Sequence, residues 1–140
     1  MTQKTIKINN IEVFQAIAFL NSMVDLPAKV SRARTKLAKS LESVANEYVA
    51  SQKEIIVNRG GSSDENGKVN GLDQENDLKA GEELRELALE TTTVSEVYDN
   101  QFDNLLKGFD DYNGEIKAND APIFDALFDK LIAAGEQDEH

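Results

Sequence analysis

Residues 62–73, SSDENGKVNGLD, set Asp64, Asn66 and Asp73 at the third, fifth and twelfth positions of a loop that also carries Gly67 at the sixth and Val69 at the eighth. That order is shared with calcium loops, in which carboxylate and amide oxygens surround the ion and a glycine makes the sharp turn. Ser62 stands where the first carboxylate belongs, however, and Asp73 is shorter than the bidentate glutamate that closes such loops. A second acidic stretch, DQENDLKAGEEL, has no glycine at its sixth position and ends in Leu84. Asp64, Asn66 and Asp73 are thus an incomplete calcium candidate. Turn chemistry is the commoner reading of a loop rich in Gly, Asn and Asp, and no metal or cofactor is expected.

Catalytic chemistry finds little purchase elsewhere. The chain has no cysteine, which excludes thiolate nucleophiles, disulfides and Cys-based zinc sites, and its single histidine is the last residue, His140. No serine lies in a G-x-S-x-G turn, and RGGSS lacks the lysine of a phosphate loop. The pairs Glu82-Glu83 and Asp110-Asp111 are adjacent in sequence, so they diverge on a helix and read as solvated charge. No enzyme is expected.

Charge is the more distinctive signal. Lys29, Arg32, Arg34, Lys36 and Lys39 occupy eleven consecutive positions with no acid among them, in a chain of net charge −11. Residues 1–59 hold nine Lys/Arg and five Asp/Glu, a net of +4; residues 60–140 hold six against twenty-one, a net of −15. Only the first half could face phosphate, and its basic stretch lacks interleaved aromatics for base stacking. Nucleic acid is therefore not the expected partner. No apolar run is long enough to span a bilayer, and MTQKTIKINN lacks the apolar core of a signal peptide. The expectation is a protein in the cytoplasm with no membrane contact.

These residues need elements to position them. KTIKIN alternates and reads as a strand. Asn9 followed by Glu12 has the spacing of a capping box, and Val13, Phe14, Ile17, Leu20 and Val24 follow at helical intervals. Pro27 closes that helix or opens the next. A long helix over about 28–57 carries Val30, Leu37, Leu41, Val44 and Tyr48 on one stripe. Lys29, Arg32, Lys36 and Lys39 share a different face, while Arg34 falls at the apolar edge. It either packs its stem with the head in water or pairs with a carboxylate of the acidic half. NRGGSSDENGKVNGLD predicts an exposed, flexible loop over 59–72 with room for a small hairpin.

Beyond it, Leu78, Leu84, Leu87 and Ala88 define an acidic helix weakened by Gly81, and the threonine run 91–93 predicts a break. Val94, Tyr98, Phe102, Leu105 and Phe109 predict an amphipathic helix. YNGEIKAND predicts a turn and a strand through Ile116. Asp120 caps a last helix whose buried face is Ile123, Phe124, Leu127, Phe128, Leu131 and Ile132, with Gly135 as its stop. Residues 136–140 read as a frayed tail. The fold class is α+β, mainly α: four to five helices around one core in a single domain of residues 1–140, with a small two-stranded sheet pairing residues near 4–8 with 113–118.

The strand IKIN, the run LPAKVSRARTKLAKSLE, the Asp-Glu-Asn-Gly loop and the closing strand–helix unit resemble a family of small proteins of phages and prophages of Gram-positive bacteria. Leu26, Lys29, Ser31, Arg32, Arg34, Thr35 and Lys36 carry most of the likeness, which weakens after residue 75. The family is a domain of unknown function, so the resemblance implies a phage setting but no catalytic residues and no cofactor. With the charge pattern, it leads to a non-enzymatic protein that binds a phage or host protein, accessory to virion or tail assembly or to late regulation. It would sit in the host cytoplasm or in the virion. The expected contacts are Lys29, Arg32, Arg34, Lys36 and Lys39 on the basic side, and Glu82, Glu83, Glu86, Asp103, Asp110 and Asp111 on the acidic side. The alternative is an acidic inhibitor of a host nuclease or defence protein that imitates nucleic-acid charge. The heptad-like spacing of the long helix also suits a homodimer.

Overall fold

The computed structural model describes residues 3–65 and 68–137. Among them the order is β1 (Thr5–Asn9), α1 (Asn10–Ser22), α2 (Ala28–Asn58), β2 (Ser62–Ser63), β3 (Val69–Asn70), α3 (Gln74–Leu89), β4 (Thr91–Ser95), α4 (Gln101–Asp110) and α5 (Ala121–Gly135). The fold is α+β and mainly α: five helices with a small antiparallel sheet, as the periodicity indicates. The 59–72 loop folds its middle into the β2–β3 hairpin, Ser62 opposite Asn70 and Ser63 opposite Val69. No helix among the described residues is long and apolar enough to cross a membrane.

The sheet corrects one expectation. β1 pairs with β4, Thr5 opposite Ser95 through Asn9 opposite Thr91, and residues 113–118 form no strand. The threonine run read as a break is a strand because β-branched side chains suit a pleated surface. Within it Thr92 is half-buried and Val94 buried, while Thr91, Thr93 and Ser95 are exposed, a period of two over only five residues. Residues 113–118 contain Gly, Asn and acid, all poor in strands. They cross the surface irregularly and contribute only Ile116 to the edge of the core.

Asn9 opens α1 as expected, and the Glu12 carboxylate accepts from the Asn9 backbone N–H at 3.2 Å. The buried face of that helix is rotated from the expected stripe, however. Val13, Ala16, Phe19 and Leu20 are buried, followed by Met23, whereas Phe14 and Val24 are exposed. Phe14 instead lies against Tyr48, ring centroids 6.1 Å apart. Alanine was the hidden signal: Ala16 occupies the inner position, where a small side chain admits a neighbouring helix. The same holds for α2, whose buried Val30, Leu37, Leu41 and Tyr48 are joined by Ala33, Ala38 and Ala45.

The expected helix over 94–109 is divided. Val94 belongs to β4, Tyr98 to the turn that follows, and α4 starts only at Gln101. Asn100, at φ 71°, makes that turn in the left-handed region that Asn tolerates better than most residues. Phe102, Leu105 and Phe109 remain on the buried face. α3 buries only Ala80 and leaves Leu78 65% exposed, so it is the most loosely held helix. In α5, Ile123, Leu127 and Leu131 are buried, Phe124 and Phe128 half-buried, and Ile132 exposed rather than buried. Phe19, Phe109, Phe124 and Phe128 form an aromatic cluster with centroids 5.1–6.0 Å apart along the Phe109–Phe124, Phe124–Phe128 and Phe109–Phe128 contacts; Phe19 meets Phe109 edge to face.

In the expected frayed tail, Gln137 is held. Its amide accepts from Thr5 N–H at 3.0 Å and donates to Thr5 C=O at 2.9 Å, so it acts as a one-residue strand against the outer side of β1. Residues 138–140, His140 included, lie outside the described residues.

α2 and α4 approach closely at Gly108, where a Cβ would overlap both methyls of Val30. Gly108→Ala should therefore destabilise the fold by about 1–3 kcal/mol through overpacking, beyond any gain in helix propensity. Adding Val30→Ala should recover part of that loss. Urea unfolding of the two variants checks this, with a double variant no better than Gly108→Ala alone as the contrary result.

Candidate functional site

The side chains with the strongest internal commitments lie where β1, β4 and α4 meet. Glu96 is 5% exposed and Gln101 fully buried. The Glu96 carboxylate accepts from Lys4 N–H at 3.1 Å and from Phe102 N–H, in the first turn of α4, at 3.3 Å. A carboxylate satisfies otherwise unpaired N–H groups at a helix start and is favoured by the helix dipole there. Gln101 accepts from Val97 N–H at 2.6 Å and donates to the Ala33 carbonyl of α2 at 3.3 Å. Lys4 Nζ donates to Asp103 at 2.9 and 3.2 Å. Asp103, expected on the acidic docking face, is thereby engaged in fixing β1 to α4. This junction went unread in the sequence because its members come from three separate stretches, at residue 4, residue 33 and residues 96–103.

The basic stretch divides by role. Among the described residues Arg34 pairs with no carboxylate, and its head is bonded rather than left to water alone. Its Nη1 donates to the carbonyls of Leu20 at 2.9 Å and Met23 at 3.3 Å, the carboxy-terminal end of α1. A guanidinium suits this task, because the last carbonyls of a helix lack intrahelical partners and carry partial negative charge. Arg32 lies over the Tyr98 ring, 4.2 Å from its centroid. Lys29 and Lys39 are exposed and Lys36 is half-buried.

The acidic candidates are dispersed as well. Glu83 pairs with Arg59, which donates through Nε at 2.8 Å and through Nη2, tying α3 to the end of α2. Glu82 and Glu86 are exposed on α3, and Asp110 and Asp111 are exposed at the end of α4. The basic and acidic faces are nevertheless not separate surfaces. Lys29 and Arg32 share a cleft with Asp99 and Asp103, and Lys29 also shares a groove with Asp111.

Of the calcium candidates, Asp73 accepts from Asn76 N–H at 2.8 Å and caps α3, while Asp64 Oδ1 accepts from Lys68 N–H at 2.9 Å across the hairpin. Both carboxylates thus make turn and cap bonds, and Asn66 lies outside the described residues. Among the described residues no three His, Cys, Asp or Glu side chains are grouped so as to hold a metal ion.

A concavity of about 840 Å³ separates the α1–α2 connection from the end of α4. Val24, Leu26, Pro27, Val30 and Tyr112 supply apolar lining, and Asp25, Lys29, Lys107 and Asp111 supply charge. Its walls are fixed locally. Tyr112 Oη accepts from Val24 N–H at 3.4 Å, Arg34 holds the carbonyls just before the connection, and Gly108 lets α4 close against Val30. The sequence signal for it was the pair Pro27 and Gly108, one starting a helix and one thinning another.

No protein-family model, curated protein or solved structure matches the chain.

Two substitutions separate the anchoring roles. Glu96→Ala removes the carboxylate that accepts from the Lys4 and Phe102 N–H groups and should cost about 3 kcal/mol. Arg34→Leu keeps much of the packed stem but removes the bonds to Leu20 and Met23, and should cost about 1–2 kcal/mol. Chemical denaturation measures both; equal stability to the parent chain would contradict the assigned bonds.

Proposed function

We propose that this chain is a non-enzymatic binding protein that acts by seating part of a partner protein in the groove between the α1–α2 connection and α4. The observation that carries this reading is the groove itself. It combines an apolar lining, charged residues of both signs and walls held by hydrogen bonds rather than by a loose loop. Aliphatic and aromatic lining with a few polar groups is the usual composition of a site that takes an anchoring side chain. Lys29 and Asp111, each from one expected docking face, both line it, so charge selects the partner while apolar contact supplies affinity. The resemblance of residues 26–36 to a phage and prophage family supports a phage or host protein as the partner, with assembly or late regulation as the setting.

A second reading keeps the protein a binder but makes its acids the recognition element, imitating nucleic-acid phosphates. It is favoured by the exposed Glu82, Glu86 and Glu90 on and just after α3, with Asp99 exposed beyond β4.

Affinity capture with the full chain from infected cells distinguishes these readings. Capture through the groove should survive about 1 M salt, where charge interactions are screened within about 3 Å. It should be lost with Val24→Glu, an exposed lining position whose substitution spares the core. Undiminished capture by Val24→Glu would overturn the groove reading. Loss of capture in salt together with competition by DNA would favour the imitator.

A further inference from the structure

We propose that the outer edge of β4 is a docking strand that accepts an extended, basic segment of a partner protein. The two edges of the small sheet are treated differently. Glu96 N–H donates to Lys4 C=O and Asn10 N–H to Glu90 C=O. With Ile6 opposite Val94 and Ile8 opposite Thr92, this phase turns the even-numbered residues of β4 inward, toward β1. The backbone groups of Thr91, Thr93 and Ser95 therefore point away from β1, as do those of Thr5, Lys7 and Asn9 on the other strand.

On β1 the outward groups are covered at both ends. Gln137 takes both groups of Thr5, and Glu12 takes the N–H of Asn9. On β4 no donor or acceptor among the described residues meets the outward backbone groups of Thr91, Thr93 or Ser95. Natural edges are usually blunted by Lys, Pro or a bulge, because an unpaired row of N–H and C=O groups recruits another strand. TTTVS has none of these and has high strand propensity. Leu89 and Val97, just beyond its two ends, are 60% and 53% exposed. An added strand would find apolar contacts there as well as backbone partners.

Charge identifies the occupant. From residue 86 to residue 106 the chain has five acids and no base, with Glu90 exposed immediately before β4 and Asp99 exposed shortly after it. Lys7, opposite Thr93, is the cation that the ladder brings alongside, and Lys4 is engaged with Asp103. Arg32, over the Tyr98 ring, offsets Asp99, so the exposed acid at this edge is Glu90 with Glu86 one helical turn earlier, on a chain of net charge −11. A second copy is a poor occupant, because it would bring a second chain of net charge −11 against the same edge. A segment alternating Lys or Arg with β-branched residues satisfies both backbone and field. This surface shares no residue with the groove. It rests on the reading of the chain as a protein-binding molecule but not on where that reading seats its partner.

The test uses the full chain and a synthetic peptide alternating Lys with Val, followed by amide hydrogen exchange. The expected result is slowed exchange at Thr91, Thr93 and Ser95, weakening as salt rises, and none with the matching Glu–Val peptide. Thr93→Pro removes one outward N–H without touching the β1 ladder and should weaken binding about tenfold. A Lys–Val peptide methylated on alternate backbone nitrogens should fail to bind the parent chain, a control that holds even if the proline variant does not fold. Protection confined to Val24 and the Tyr112 segment would overturn the edge proposal and favour the groove. No protection anywhere would overturn the edge proposal and leave the groove to its own capture experiment. Concentration-dependent protection of the edge without peptide would replace the basic segment with a second copy.

Discussion

A buried carboxylate governs how the two halves of this molecule meet. Glu96 follows β4, and its side chain gathers the N–H of Lys4 just before β1 and the N–H of Phe102 at the start of α4. Burying a charge is costly unless its hydrogen bonds are supplied. Here they come from one residue 92 positions earlier and one 6 positions later. The group can be satisfied only when the sheet is paired and α4 has begun, so it links long-range pairing to a local helix start. Gln101 extends the link to α2 through Ala33. Around this point the apolar core of Phe102, Leu105, Leu37 and Leu41 closes. Hydrophobic burial supplies the driving force, and the polar junction narrows the arrangements that can receive it.

Much of the helical scaffold was legible because its signals are local. Asn9 and Glu12 lie three apart, Pro27 sits immediately before α2, and Leu37, Leu41 and Tyr48 recur at helical spacing. What was not legible depends on partners distant in sequence. Thr91–Ser95 is too short for alternation to outweigh its neighbours, and its identity as a strand comes from Ile6 and Ile8 across the ladder. Val94 and Tyr98 happen to continue the three-and-four spacing of Phe102 and Phe109, so a helical period extends falsely through a strand and a turn. The rotated face of α1 was hidden by residue size: Phe14 looks like core and Ala16 does not, yet only the smaller side chain fits between helices. Arg34 was seen to be anomalous from its position, but its target, a helix end fourteen residues earlier, has no sequence signature.

Net charge also misleads when taken as two blocks. The halves of +4 and −15 suggest opposite faces, whereas folding interleaves them. Lys4 meets Asp103, Arg59 meets Glu83, and Lys29 lies in grooves with Asp103 and Asp111. Part of the charge is structural mortar, and the remainder is left in patches around the groove and along β4. The proposed docking surfaces follow from which ions the fold leaves unspent, rather than from where the sequence concentrates them.

The short connection between α1 and α2 shows what such an arrangement means for recognition kinetics. Asp25 at φ 56° occupies a backbone region with few alternatives, Pro27 has a fixed dihedral, and the segment is tied at Met23 by Arg34 and at Val24 by Tyr112. A wall constrained this way has little conformational entropy left to lose when a guest arrives. Encounter would then be limited by orientation more than by rearrangement, and residence time would be set by how well the guest's shape fits a cast already hardened.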